Sequence, residues 1–206
     1  MFHYLSLEEV HRLDASLSHN CHHAMGLSEG RVLKVASDPQ HGFSKRAKES
    51  INLVDGHGVE GDAHAGEYVR HRFLARRWSR LPNLRQLHLI PSELFGILRT
   101  LGYPVGPGDL GENVTTVGLE LEHLPLGTKV RLGQDAVVEL TGLRTPCCLI
   151  DRFQKGLRSK MLRTESSGPK FRCGVFAIIA VGGRVSPGDV ATVETPPRPW
   201  SPLPTM

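Results

Sequence analysis

Two adjacent thiols, Cys147 and Cys148, stand in the run Arg144-Thr145-Pro146-Cys147-Cys148-Leu149-Ile150-Asp151-Arg152-Phe153. Thr145 fits a helix N-cap and Pro146 the first helical position, which puts both thiols in the first turn. There the positive helix end, with Arg144 alongside, lowers a thiol pKa and populates the thiolate. That form attacks electrophiles, carries sulfur or ligates a soft metal. The alternative use is as small buried hydrophobes, since free cysteine is among the most buried residue types.

A second group of reactive side chains lies in Gly56-His57-Gly58-Val59-Glu60-Gly61-Asp62-Ala63-His64-Ala65-Gly66, where four glycines in eleven residues demand a loop that turns tightly or approaches something closely. Asp62, His64, Glu60 and His57, with His71 further on, are the residue types of a hydrolytic zinc site. The chain has no HExxH helix to organise one, and a polar loop fixing its own backbone is the other reading. A third loop, Gly106-Pro107-Gly108-Asp109-Leu110-Gly111-Glu112-Asn113, has neither phosphate-loop nor dinucleotide spacing. From it Asn113 and Thr115 can orient an anionic ligand, while Lys45, Arg46, Arg144 and Arg172 can neutralise a phosphate or remain solvated surface charges.

Short strands must carry these loops. Arg31–Ala36 and Ile51–Val54 alternate as half-buried strands do, and Arg85–Ile90 reads as a strand running into a helix opened by Pro91 and Ser92 and ended near Gly102. Beyond Asp109 come Asn113–Val117, Thr128–Leu132, Ala136–Thr141, Val175–Val181 and Asp189–Val193, bounded mostly by Gly or Pro. The spacing predicts a mainly β fold with a few helices, its antiparallel sheet closed or nearly closed, interrupted by a helix over Thr145–Leu157. Residues 1–28, with Leu5, Val10, Leu13 and Leu17 at helical spacing before Cys21-His22-His23, read as an N-terminal extension. The barrel domain occupies 29–194. Residues 195–206 hold five prolines and are expected to form a mobile tail.

Composition sets the frame. With 206 residues the chain buries roughly 70% of its unfolded surface without disulfides. The four cysteines, without CxxC pairs, are then free thiols of a cytoplasmic protein. The longest uncharged apolar run, Gly174–Gly183, is about half of a membrane span. A net charge of +4, with acids interspersed, is far from the clustered basic face of a nucleic-acid binder. The charge suggests at most small anionic ligands.

Taken in order, Gly58-Val59-Glu60-Gly61-Asp62-Ala63-His64, then Gly111-Glu112-Asn113-Val114-Thr115-Thr116-x-Gly118-Leu119, then Gly127–Gly133, Arg144-x-Pro146-Cys147 and Gly183-Arg184-Val185-x4-Val190 resemble the MOSC family, named for the C-terminal domain of molybdenum-cofactor sulfurase. The resemblance runs from about Gly30 to Glu194. It implies a β-barrel of the pyruvate-kinase barrel type that binds the molybdenum cofactor, a pterin phosphate whose dithiolene holds the metal, or that carries sulfur. Pyridoxal phosphate binding belongs to the same family associations.

The resemblance further implies that Cys147 is the chemical residue, as a persulfide carrier or a thiolate ligand to molybdenum, with Arg144 holding the thiolate. Lys45 and Arg172 are then expected at the pterin phosphate, and Asp62, His64, Glu112, Asn113 and Thr115 around the pocket. Some relatives reduce N-hydroxylated compounds with electrons from a flavin or haem partner, and a sulfur carrier would meet a cysteine desulfurase. Those reductases carry a His-Gly-Gly stretch after the GxEGD loop, where this chain has His71-Arg72-Phe73. A non-catalytic anion-binding barrel and a zinc hydrolase are the rival readings.

Overall fold

The computed structural model describes residues 28–68, 81–165 and 168–206, with the backbone alone for 163–165 and 168–170. The helix expected within 1–28, the Cys21-His22-His23 cluster, His71 and most of the basic stretch ending at Arg80 lie outside these residues. In chain order the elements begin with β1 (Ser28–Ser37), β2 (Arg46–Lys48), β3 (Ile51–Val54), β4 (Gly58–Val59), β5 (Leu87–Pro91), α1 (Glu93–Thr100) and β6 (Val114–Val117). They continue with β7 (Lys129–Leu132), β8 (Ala136–Leu143), α2 (Cys148–Phe153), α3 (Leu157–Lys160), β9 (Leu162–Glu165), β10 (Gly168–Phe171), β11 (Val175–Val181), β12 (Gly183–Val185) and β13 (Val190–Glu194).

Seven strands close on themselves in the order β1-β13-β7-β8-β11-β5-β6 and back to β1, with β2 added at one edge. Closure removes the sheet edges that would otherwise expose unpaired backbone. Period-two alternation makes each wall: in β8 every second residue is buried, in β3 and β7 likewise. The inward residues, among them Val32, Leu89, Val130, Leu132, Val138, Leu140 and Val175, form the barrel core. Each such side chain withdrawn from water contributes about 1.5–3 kcal/mol.

The barrel is mixed rather than wholly antiparallel, since β5 and β6 run parallel. The cause is local: α1 connects them, and a parallel pair needs such a crossover where a hairpin cannot reach. Leu94, Phe95 and Leu98 of α1 join Ile90, Leu110, Ile150, Leu157 and Met161 in a second core outside the barrel wall. Pro91, expected inside the helix, ends β5 instead, and Ser92 is the residue before the first helical turn.

Two further expectations are corrected. The segment from Thr145 is not one helix: α2 begins at Cys148, ends at Phe153, and α3 follows after Gly156 in a left-handed conformation (φ +83°). The segment 195–206 is not a free tail. Proline blocks a helix there but leaves backbone carbonyls to pair with strand ends, and Leu126 N–H donates to Ser201 O and Leu143 N–H to Pro204 O, while Leu203 is buried in the barrel core.

Candidate functional site

Alternation along β5 turns Leu87 and Leu89 into the barrel and leaves His88 and Ile90 outside that core. Opposite His88 in the antiparallel register sits Phe176 of β11, the two rings 5.2 Å apart. Over this part of the wall opens a cavity of about 270 Å³, lined by Lys45, His64, Arg85, His88, Asn113, Arg144, Cys147 and Phe176, with Asn83, Gly111, Thr145 and Met206 completing its sides.

Lys45 Nζ lies 2.7 Å from Asp62 Oδ2, the side chains 6% and 2% exposed. The same carboxylate accepts from Asn113 Nδ2 (3.1 Å), while its Oδ1 accepts from the His64 backbone N–H (3.0 Å) and lies 3.3 Å from His64 Nδ1. Burial alone would raise the Asp62 pKa, but the bonds from His64 and the charge and bond of Lys45 outweigh it and hold the carboxyl well below its ordinary range. Burial pulls the Lys45 ammonium down despite the attraction of Asp62. Asn113 also donates to Ala36 O and accepts from the His88 N–H, so one side chain ties β1, β5 and the Asp62 loop together. Asn83 does the same for the far side of that loop, donating to His64 O and Gly66 O and accepting from the Arg85 N–H.

Two arginines face this cavity. Arg144 Nη1 donates to Leu110 O at 2.5 Å and stands 3.5 Å from His88 Nδ1. His88 Nε2 is 2.9 Å from Cys173 O, a contact only a protonated nitrogen satisfies, so the Nε2–H tautomer donates there and leaves Nδ1 as acceptor toward Arg144. Full burial, then the Arg144 charge, lower the His88 pKa well below that of a free imidazole and keep the ring neutral. Arg85 stacks on Phe176, its guanidinium carbon 5.3 Å from the ring centroid. Burial and the like charge of Arg144 lower its pKa, and the ion pairs among the described residues give neither arginine a carboxylate. Among the described residues, the two guanidinium groups thus share one half-buried site with no carboxylate in ion-pair contact, the Glu112 carboxyl acting on Arg144 from longer range.

Glu112 lies behind the cavity, 1% exposed. Its Oε1 accepts from Gly108 N–H (2.5 Å) and Thr115 Oγ1 (3.1 Å), whereas Oε2 is buried without a partner. Burial raises its pKa against those bonds. Cys147 is half-buried at the cavity and Cys148 exposed; Cys173 is fully buried, and all three are free thiols. Cys147, not Thr145, occupies the N-cap position of α2, in extended conformation, and Thr145 instead donates its hydroxyl to Met206 O.

Of the residues singled out in the sequence, Lys45, His64, Asn113, Arg144 and Cys147 meet at the cavity, with Asp62 directly behind Lys45. Thr115 serves Glu112 rather than the cavity. Arg172 is absent from the cavity lining and its charge acts on Glu122. Sequence reasoning missed His88, Arg85, Asn83 and Phe176; an isolated histidine within Leu87–Ile90 was the one visible signal. The residues of the rival zinc reading serve the protein instead: Glu60 accepts from Asn52, Asp62 is committed to Lys45, and among the described residues no three His, Cys, Asp or Glu side chains converge.

The sequence profile described as the MOSC domain matches residues 76–192, more than half of the chain. The chain belongs to the MOSC family. The uncharacterized protein YflK of Bacillus subtilis (strain 168) is 32% identical over 149 residues, 71% of this chain and 60% of YflK, so the chain spans less than two thirds of that relative. Among solved structures, the YuaD protein of Bacillus subtilis superposes with a TM-score of 0.68 at 20% identity, over 84% of this chain and 99% of that one. YiiM from Geobacillus stearothermophilus gives 0.57 at 18% identity over 80% and 75%. The likenesses to solved structures carry the barrel fold. Among the described residues, no helix is long and apolar enough to cross a membrane.

Proposed function

We propose that this MOSC protein binds the molybdenum cofactor, with the Cys147 thiolate as a protein ligand to the metal, and reduces small N-hydroxylated compounds. The observation that carries the reading is that Cys147 opens into the same cavity as Arg85 and Arg144, two cations that have no ion-paired carboxylate among the described residues. The donor set fits the group. A pterin dithiolene brings its own sulfur ligands, so one thiolate suffices where a bare ion would need a cage of three or four side chains, and the pterin phosphate is the anion that a pair of arginines accepts. Lys45 and Arg172, first expected at that phosphate, give way to Arg85 and Arg144, because Lys45 already serves Asp62.

When bound, the cofactor supplies a metal centre able to hold two electrons and exchange an oxygen ligand. This chain's residues do the rest. Arg144, fixed by Leu110 O, holds positive charge near the thiolate; neutral His88 keeps Arg144 placed without adding a competing cation. Phe176 offers Arg85 an apolar seat at the cavity edge. Reduction of an N-hydroxyl group consumes two electrons and two protons and releases water, so a flavin or haem protein is required as electron donor. Pyridoxal phosphate has no part in this reading, since Lys45, the amine a Schiff base would need, is held by Asp62.

The test is metal analysis with pterin fluorescence on anaerobically purified wild type and Cys147→Ala from a host that makes the cofactor. Molybdenum and pterin in wild type, with molybdenum lost from the variant, is the expected result; absence of both from wild type sinks the proposal. The exposed thiol of Cys148, one residue from Cys147, favours one second reading, sulfur carriage as a Cys147 persulfide received from a cysteine desulfurase. Intact-mass detection of an added sulfur on Cys147 without molybdenum would select it.

A further inference from the structure

The segment 201–206 reaches the mouth of the cavity. It runs parallel to the end of β8 and the residues that follow: Leu143 N–H donates to Pro204 O (2.7 Å), Met206 N–H donates to Leu143 O (2.9 Å), and Thr145 N–H donates to Met206 O (3.0 Å). Thr145 Oγ1 donates to the same oxygen at 2.6 Å. Both ends of the turn carrying Arg144 are therefore clamped, two residues before Cys147. Upstream, Leu126 N–H donates to Ser201 O and Leu203 is buried in the barrel core, so the strap has its own anchor.

Gly142 supplies the seat. A Cβ there would overlap the Met206 thioether and Cγ and come within 2.8 Å of Pro204 O. The backbone of Gly142 lies outside the left-handed region, where an alanine fits without strain. Glycine at 142 is needed by the strap, not by the strand. Met206, seated in this way, becomes part of the cavity wall beside Thr145 and Cys147.

We infer that residues 201–206 are a working part of the site: they hold the Arg144–Cys147 turn, and the Met206 side chain limits the size of molecule that reaches the Cys147 sulfur. The inference rests on Cys147 being the reactive atom of the proposed function and adds a specificity-determining residue, Met206, that the motifs do not contain. A thioether suits that place, being apolar and flexible enough to follow ligands of different outline.

The experiment uses the full chain carrying Cys21→Ser and Cys148→Ser, so that Cys147 is the accessible thiol and Cys173 stays buried. Alkylation at Cys147 is followed by peptide mass spectrometry with a small reagent, iodoacetamide, and a bulky one, a fluorescein maleimide. In Met206→Ala the bulky reagent should react about fivefold or more faster, with the small reagent within about twofold of its former rate, because the wall is lost and the clamp kept. Met206→Leu should restore the original ratio. Gly142→Ala should expel the strap and raise both rates, as local opening exposes the whole turn. An unchanged ratio of the two rates in Met206→Ala overturns the inference, and so does an unchanged pair of rates in a folded Gly142→Ala. The assay needs no cofactor, so its failure is separate from a failure of Cys147 to retain molybdenum.

Discussion

Lys45 and Asp62 form an ion pair of 2.7 Å whose two side chains are almost wholly withdrawn from water. The pair joins the chain before β2 to the glycine loop after β4. Asp62 has further donors in Asn113 and His64, so the carboxylate is satisfied on both oxygens, whereas the Lys45 ammonium directs its charge and its hydrogen bond at Asp62.

The costs of removing the two partners should therefore not add. Lys45→Met leaves a buried carboxylate and Asp62→Asn a buried ammonium, each expected to destabilise by about 3–5 kcal/mol, while the double variant loses less than the sum. Urea unfolding at neutral pH reads these values. The folded Asp62 pKa is depressed, so its contribution is present above the ordinary value of 3.8 and is lost as pH falls below it. The difference between wild type and Asp62→Asn should accordingly hold level from neutral pH down to the ordinary value of 3.8 and shrink as pH is lowered further; a difference that stays level below that value would remove the ion pair from the account.

Much of this arrangement is local and hence legible in the sequence. Alternation exposed β1, β3, β7, β8, β11 and β13, and the glycine-dense runs marked the loops that bring Asp62, Asn113 and Lys45 together. The rest depends on closure of the barrel. His88 acquires its role because the β11 register sets Phe176 opposite it and because Cys173 O caps its Nε2, neither of which a linear pattern near Leu87 contains. Arg85 and Arg172 look alike in sequence, but Asn83 anchors the backbone of Arg85 at the cavity, while Arg172 N–H pairs with Met161 O at another edge. The strap escaped notice for the same reason: five prolines forbid a helix but do not reveal a strand end elsewhere that their carbonyls can meet.

His88 sets a second pH window. Its pKa is lowered from 6.5 by burial and by Arg144, so below 6.5 the unfolded chain takes up a proton that the folded site refuses. Stability is full above 6.5 and falls as pH drops through the interval down to the depressed folded value. In His88→Gln, which keeps a donor for Cys173 O but does not titrate, thermal midpoints measured between pH 7.5 and 5 should fall less steeply than in wild type. Parallel curves would assign the acid sensitivity to other groups.

Gly111 holds a left-handed conformation (φ +79°), and an added Cβ would overlap Phe43 O. Backbone cannot yield as a side-chain tip does, so Gly111→Ala combines torsional strain with displacement of the segment that carries Lys45. A loss of about 2–4 kcal/mol is expected. The spectroscopic check is a heteronuclear map in which Phe43, Lys45 and Asp62 shift while β7 and β13 do not. A variant as stable as wild type would mean that the loop has another conformation available.

Arg85 and Arg144 make the sharpest distinction, because they share a charge but not a setting. Arg144 is bonded to Leu110 O and faces His88, so Arg144→Gln strips a structural bond as well as a charge. Arg85 touches the protein through Phe176, and its head group has no ion pair with a described carboxylate. Loss of a charge-assisted contact costs about 1.5–3 kcal/mol, or roughly ten- to a hundredfold in affinity. Arg85→Gln is therefore expected to weaken binding of inorganic phosphate by that factor in calorimetric titration while leaving the unfolding free energy within about 0.5 kcal/mol of wild type. Arg144→Gln should lose both. Phosphate affinity equal in wild type and Arg85→Gln would show that the unneutralised charge in the cavity is not the anion's partner, and the assignment of the pterin phosphate to this pair would fall with it.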